Sequence, residues 1–355
     1  MPGTTGREMK GFAFAKFATN SWGVAAAVTK GTRFLSDGGL KYLPSFIEDR
    51  SFGETFLGAS SQGDVAPPDL TLAGQARYED HHYVLEALAM GSPATVAIST
   101  SAVGQVTSWS HVLDLAPSID GLGATFALDR KLYVEELTSA KIFGFGDTIG
   151  DGGIVVQAFR VLGSKATNIS SVNINSTVYG ASYPALGGKI FRNQGVFRLN
   201  AQAGGALAAS DAITIEACEF GFERPQDRSF VYGQDFIAEP ADNEFPEPMV
   251  RVAYPRMNTV SANSLYGAMR AFSAYKGDLT YLGAFINSTD RYTKLYQFPY
   301  MELQDFETPT AGAAQVKPVA MFRLKQASAA PTGMTGVTKP FRITRIMVNS
   351  VHAFA

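Results

Sequence analysis

Ile154-Val155-Val156-Gln157-Ala158-Phe159-Arg160-Val161-Leu162, set between Gly152-Gly153 and Gly163, decides the fold class. It is rich in branched and aromatic residues and is bounded by glycine, which is the signature of a β-strand ending in turns. The same period-two signal recurs along the chain. It is read at Asp69–Leu72, Trp109–Leu115, Ile169–Ile174, Ile213–Glu216, Met249–Tyr254, Tyr296–Leu303, Val319–Leu324 and Phe341–Val348. Only two stretches carry helical spacing. Tyr78–Met90 places Tyr83, Val84, Ala87 and Leu88 on one face and stops at Gly91; Ser261–Tyr275 places Leu265, Met269 and Phe272 likewise, before Lys276-Gly277. The expectation is a mainly β protein.

The order of these elements repeats. A strand (Leu40–Glu48), a polar loop, a strand (Leu70–Arg77), a helix and further strands are followed by a second such series. That series opens with a strand at Ile213–Glu223 and a loop at Pro225–Glu247, then a strand at Val250–Tyr254. Ser36-Asp37 is echoed by Ser210-Asp211, and Phe46-Ile47-Glu48-Asp49-Arg50 by Phe220-Gly221-Phe222-Glu223-Arg224. This predicts an internal duplication with its seam in the Gly- and Ala-rich stretch Ala201–Ser210. The domain reading is an N-terminal arm at 1–32 and two tandem β-sandwich or barrel domains, 33–205 and 206–355, each with one short helix.

Bulk composition suits this picture. The 355 residues are 46% hydrophobic and only 17% charged, below the roughly 25% of an average globular chain. There is apolar material for sizeable cores, and the low charge leaves surface that subunits can cover. Net charge is −2, without the basic footprint of a nucleic-acid binder. Charge nevertheless segregates late in the chain. Residues 206–250 hold 2 basic and 10 acidic side chains, whereas 251–355 hold 12 basic and 5 acidic. Such polarity is either neutralised inside one fold or used to steer head-to-tail self-association. The single cysteine, Cys218, permits no intrachain disulfide and is expected to pack as a small apolar group. The opening residues lack a signal-peptide core, and no apolar run is long enough for a membrane helix. A cytosolic origin and no membrane partner are the expectation.

Catalytic patterns are incomplete. His82 and Glu86 share a helix face at i, i+4, but no third ligand follows at metal-binding spacing, and the pair reads as the polar face of a surface helix. Gly187-Gly188-Lys189-Ile190 lacks the leading glycine and the Ser or Thr of a phosphate loop. Gly144-Phe145-Gly146 lies between strands without the rest of a dinucleotide fingerprint. Glu135-Glu136 point to opposite faces of a strand. The triplets at Asn168, Asn175 and Asn287 read as chance matches to the glycosylation pattern. No catalytic, cofactor or metal residue is assigned, and an enzyme is not expected.

The N-terminal third resembles the tail tube (major tail) proteins of long, non-contractile-tailed bacteriophages. The resemblance is carried by Ser21-Trp22-Gly23-Val24-Ala25, then Phe34-Leu35-Ser36 leading into Leu40-Lys41-Tyr42. It continues through the polar loop ending Gly63-Asp64-Val65, the strand Leu70-Thr71-Leu72, and His82–Leu88 closed by Gly91. It implies a virion structural protein, made in the host cytoplasm and built into the tail. Such a protein self-assembles into stacked rings that conduct DNA during ejection without sequence-specific binding, and it meets other tail proteins. Two tube domains per chain favour a trimeric over a hexameric ring. By the same resemblance the loop Asp49–Ala66 reaches the next ring, with Phe52, Phe56 and Leu57 as the proposed inter-ring contact. The alternatives are another phage β-sandwich, such as a decoration or tail-tip protein, and a carbohydrate-binding module. The latter is disfavoured because Trp22 and Trp109, the only tryptophans, lie far apart in sequence.

Overall fold

A computed structural model describes residues 11–17, 22–35, 44–47, 61–65, 68–99, 106–130, 132–183, 187–231, 236–255, 273–307 and 317–350. The fold is mainly β and antiparallel. Its elements begin with β1 (Gly11–Phe17), β2 (Lys30–Thr32), β3 (Pro44–Ile47), β4 (Ser61–Val65) and β5 (Asp69–Gln75). Helix α1 (His82–Met90) follows, then β6 (Gly91–Ser99), β7 (Ser108–Leu115), β8 (Gly123–Asp129), β9 (Val134–Ile149), β10 (Val155–Gly163) and β11 (Ala166–Thr167). After α2 (Asn175–Gly180) come β12 (Gly195–Ala201), β13 (Ala212–Ile213), β14 (Ala217–Glu223) and β15 (Met249–Ala253). The last four are β16 (Ala274–Phe285), β17 (Arg291–Glu307), β18 (Val319–Leu324) and β19 (Arg342–Met347). No described helix is long and apolar enough to cross a membrane.

Alternation becomes burial in β5, β18 and β19. In β5, Leu70 and Leu72 are buried between exposed Asp69 and Thr71, and β18 and β19 alternate strictly. Helix α1 ends on Gly91, whose φ of 86° is the left-handed conformation that glycine adopts without a Cβ penalty.

The strand pairings form the same series twice. In the first half they run β2-β1-β8-β9-β10-β5, with β11 on the β10 edge of β9. In the second they run β13-β12-β16-β17-β18-β15, with β19 on the β18 edge of β17. Register agrees as well as order. Leu137, Ala140, Ile142 and Phe145 of β9 occupy the positions of Phe298, Met301, Leu303 and Phe306 of β17, at a constant offset. The β8–β9 ladder slips between Ala124 and Phe126, and the β16–β17 ladder slips at the equivalent Tyr275 and Gly277. The second slip, which skips Phe143 in the β9–β10 ladder, recurs where Gln304 is skipped between β17 and β18. Leu35 N–H donates to Ala73 O at 2.7 Å, and Glu216 N–H donates to Ala253 O at 2.7 Å in the matching place. Bulges are placed features of a ladder, and two of them fall at matched positions of the two series.

The repeat boundaries differ from the expected ones. The second series begins with β12, so Ala201–Ser210 runs from the end of β12 toward β13, inside that series rather than at a seam. Residues 11–17 and 22–32 are built into the first unit: β1 pairs along β8 from Gly11 to Phe17. Nor do the units have separate cores. A single buried cluster runs from Phe14 through Phe145, Phe220 and Tyr296 to Met347.

Several local expectations are corrected. Ile169–Ile174 is irregular, not a strand. Ser170 Oγ accepts from the backbone N–H of Val172 (3.1 Å) and Asn173 (2.9 Å), which gives this backbone an alternative to a ladder. Ile213–Glu216 is a strand only at its first residue. The loop Asp49–Ala66 contains β4, which pairs with β3 in a 2-stranded sheet of its own. Phe46 lies in that sheet, unlike Phe220 in β14, so the wording they share is not the register of the repeat. Most of the expected helix Ser261–Tyr275 lies outside the described residues, and Ala274 and Tyr275 belong to β16.

Candidate functional site: the joint between the repeats

From β5 to β6 the strands follow one another as β5-β10-β9-β14-β15-β18-β17-β19-β7-β6, with α1 linking the two end strands. This run curls around α1. The helix touches β10 through His82 against Phe159 (ring centroids 5.4 Å apart) and β7 through Tyr83 against His111 (5.1 Å). All nine of its residues are buried, including His82 and Glu86. The expected surface helix with a polar face is therefore wrong, and the reason is that Glu86 has cationic partners far along the chain.

Those partners form a buried ion cluster across the repeats. Arg345 of β19 donates from Nε to Glu86 Oε2 and from Nη2 to Oε1, both at 2.7 Å. Gln157 Nε2 donates to the same Oε1 at 2.6 Å, and Lys294 Nζ lies 3.2 Å from it. Lys294 and Tyr296 of β17 both donate to Asp147 Oδ2, at 2.7 and 2.6 Å. The acids come from the first half and the bases from the second. Burial alone would push the Glu86 carboxyl up, but Arg345 and then Lys294 outweigh it and hold the group at about 2. Tyr296 is driven well above its ordinary range by burial and by the Asp147 charge. His82 stacks on Phe34, and burial lowers its pKa, so the ring is neutral.

Two strand contacts join the units. In the first, β14 pairs with the far end of β9, Phe220 opposite Asp147 through Glu223 opposite Gly144. Gly144 and Gly146 are needed here. A Cβ on Gly144 would stand 2.6 Å from Phe222 O, and one on Gly146 would stand 2.8 Å from Phe220 O. Phe145 packs edge-to-face on Phe222 at 5.6 Å and Phe341 at 6.5 Å, and Phe220 meets Tyr296 at 5.0 Å. Behind this joint, Arg224 is buried with Nη1 on Asp242 (2.9 Å), and buried Lys141 Nζ reaches Pro240 O (2.6 Å) and Glu239 (2.9 Å). In the second contact, β19 pairs with β7 from Arg342–Asp114 to Met347–Trp109, and Arg342 grips the Asp114 carboxylate from Nε (2.7 Å) and Nη2 (2.8 Å).

This joint is heterologous: the repeats meet through different surfaces. The first unit contributes the end of β9 and β7; the second contributes β14 and β19. The counterparts of two of those surfaces, the end of β9 and β19, are left over in β17 and β11. Among the described residues, no strand pairs with Asp305–Glu307 of β17 on the edge away from β18. None pairs with the outer edge of β11.

The remaining sequence candidates fall elsewhere. Phe52, Phe56 and Leu57 lie outside the described residues. Gly187 and Gly188 serve as carbonyl acceptors, for Arg77 Nη1 (2.8 Å) and Tyr78 N–H (3.1 Å), and only a three-residue 3-10 turn, Arg192–Gln194, precedes the next strand. Glu136 is buried and accepts from Asn173 Nδ2 at 2.6 Å, while Glu135 faces Arg130 at 2.8 Å. Cys218 is buried in β14. No group of three or more His, Cys, Asp or Glu side chains placed to hold a metal occurs among the described residues. Sequence reasoning missed Arg345, Lys294 and Asp147. It met Gly144 and Gly146 only as a failed nucleotide motif, although two glycines on one strand face also signal close backbone approach. A scan against models of known protein families finds no match, and a search of curated proteins finds none.

Proposed function

We propose that this chain is a structural protein that assembles with copies of itself, as a tail tube protein does. Copies join head to tail into rings and the rings stack into a conduit for DNA. The carrying observation is the heterologous joint between register-matched repeats. A two-fold joint would have used the same surface on both units and ended there. A heterologous contact leaves each surface type free once, and such contacts continue until a ring closes or a filament forms. Three copies supply six repeats, so a trimeric ring is favoured over a hexamer. In this reading the protein belongs to a virion tail, is made in the host cytoplasm, and meets other tail proteins. DNA passes through without base-specific contact, which agrees with the absence of a basic footprint in the composition. Native mass spectrometry and negative-stain imaging of concentrated protein test this. Three-chain rings and hollow tubes are the expected result; a monomer at every concentration, or a closed dimer, sinks the reading.

A further inference from the structure

The duplication allows the two ends of the molecule to be compared residue by residue. At the joint inside the chain, β9 offers Gly144, Phe145 and Gly146 to β14. At the matching place on the second unit, β17 offers Asp305, Phe306 and Glu307. Phe306 is half-buried against the core, as its counterpart Phe145 is fully buried, so the framework of the edge is the same. The glycines, however, are replaced by exposed carboxylates. The outward N–H of Phe306 is meanwhile held by Asp305 Oδ1 at 2.8 Å, the place where β9 would be giving bonds to a neighbouring strand. Charged side chains on an open edge blunt uncontrolled pairing. They also keep a crossing backbone from approaching as closely as β14 approaches β9.

We propose that the edge of β17 at Asp305–Glu307, which no strand covers among the described residues, receives the first repeat of a second copy. The contact repeats between chains, in weakened form, the contact that β14 makes with β9 within one. This inference rests on the self-assembly reading and adds to it the edge, its occupant and the reason for its strength. The internal joint is tight and forms on folding. The external joint uses the same framework, but it is held apart by two Cβ atoms and two charges, so assembly waits on concentration.

The test is the concentration at which rings form, read by light scattering and native mass spectrometry. Asp305→Gly/Glu307→Gly makes the end of β17 resemble the end of β9, and it should lower that concentration about tenfold or more. Asp305→Ala/Glu307→Ala removes the charges but keeps the Cβ atoms and should fall between wild type and the glycine variant. Phe306→Pro removes the outward N–H, and with a monomer that keeps its strand circular dichroism it should not assemble. If wild type assembles and the glycine variant does so at the same concentration, the edge assignment is overturned while self-assembly stands. An alanine variant equal to the glycine variant overturns the role given to close approach. If wild type never assembles, the functional reading itself fails.

Discussion

At the scale of the residue, Glu86 is the most consequential side chain in the core. Its carboxylate is buried on a helix and takes bonds from Arg345 and Gln157, with Lys294 alongside. Removing one partner of such a cluster strands the others without water, which typically costs about 3–5 kcal/mol. Glu86→Gln should therefore lower the unfolding free energy by roughly that amount, measurable by urea titration at neutral pH. The pH dependence has a definite sign. The folded pKa of about 2 lies below the ordinary 4.5, so the group stabilises the fold fully above pH 4.5. That contribution is lost as pH falls from 4.5 toward 2, and amounts to on the order of 3 kcal/mol. The wild-type unfolding free energy should drop across that window, with the drop much reduced in Glu86→Gln. Equal slopes for both proteins would place the titration elsewhere.

At the scale of the element, β14 is the strand through which one repeat grips the other, and it carries its own probe. Cys218 lies buried in β14 opposite Val252, and burial raises its thiol pKa, so almost no thiolate exists at neutral pH. A thiol reagent should label native protein only at the rate at which β14 leaves its place. Gly144→Ala, which forces a Cβ against Phe222 O, should speed that labelling without exposing the rest of the core. Labelling of wild type within seconds would contradict the buried joint. The strands themselves were legible from sequence. β10, β15, β18 and β19 fall within a residue or two of their alternating segments, and α1 stops at the glycine that marks its end. Alternation reports which face is covered, not what covers it. Glu86 therefore looked like surface, because Arg345 and Lys294 lie in the other half of the chain. Ile169–Ile174 has strand composition, but Ser170 bonds its own neighbours' N–H groups. A recurring order of elements was visible, whereas the point where the second series starts was not, since β12 and β13 share almost no wording with β1 and β2. The candidate site was least legible, because an unpaired edge is a property of pairing partners and leaves no local pattern.

At the scale of the whole molecule, the two units are repeats in topology and a single body in packing. β7 lies between β6 and β19, and β9 meets β14, so neither unit closes its sheet without the other. A chain stopped after Leu324 would lack β19. It would expose the β7 edge and leave Glu86 and Lys294 without Arg345. We expect that fragment to be insoluble or to lack cooperative unfolding, whereas independent units would leave the first half with a sharp melt of its own; calorimetry on the soluble fraction decides. The β7–β19 ladder also sets a clock on biosynthesis. Residues 108–115 leave the ribosome long before 342–347, and at roughly 5–20 residues per second the delay is on the order of ten to fifty seconds. During that interval the nascent chain carries the β6–β7 hairpin with the other edge of β7 uncovered, so this part of the sheet closes only once residues 342–347 have emerged. Contacts this distant in sequence also make closure slow, and the uncovered edge of β7 is exposed to wrong pairing until β19 arrives.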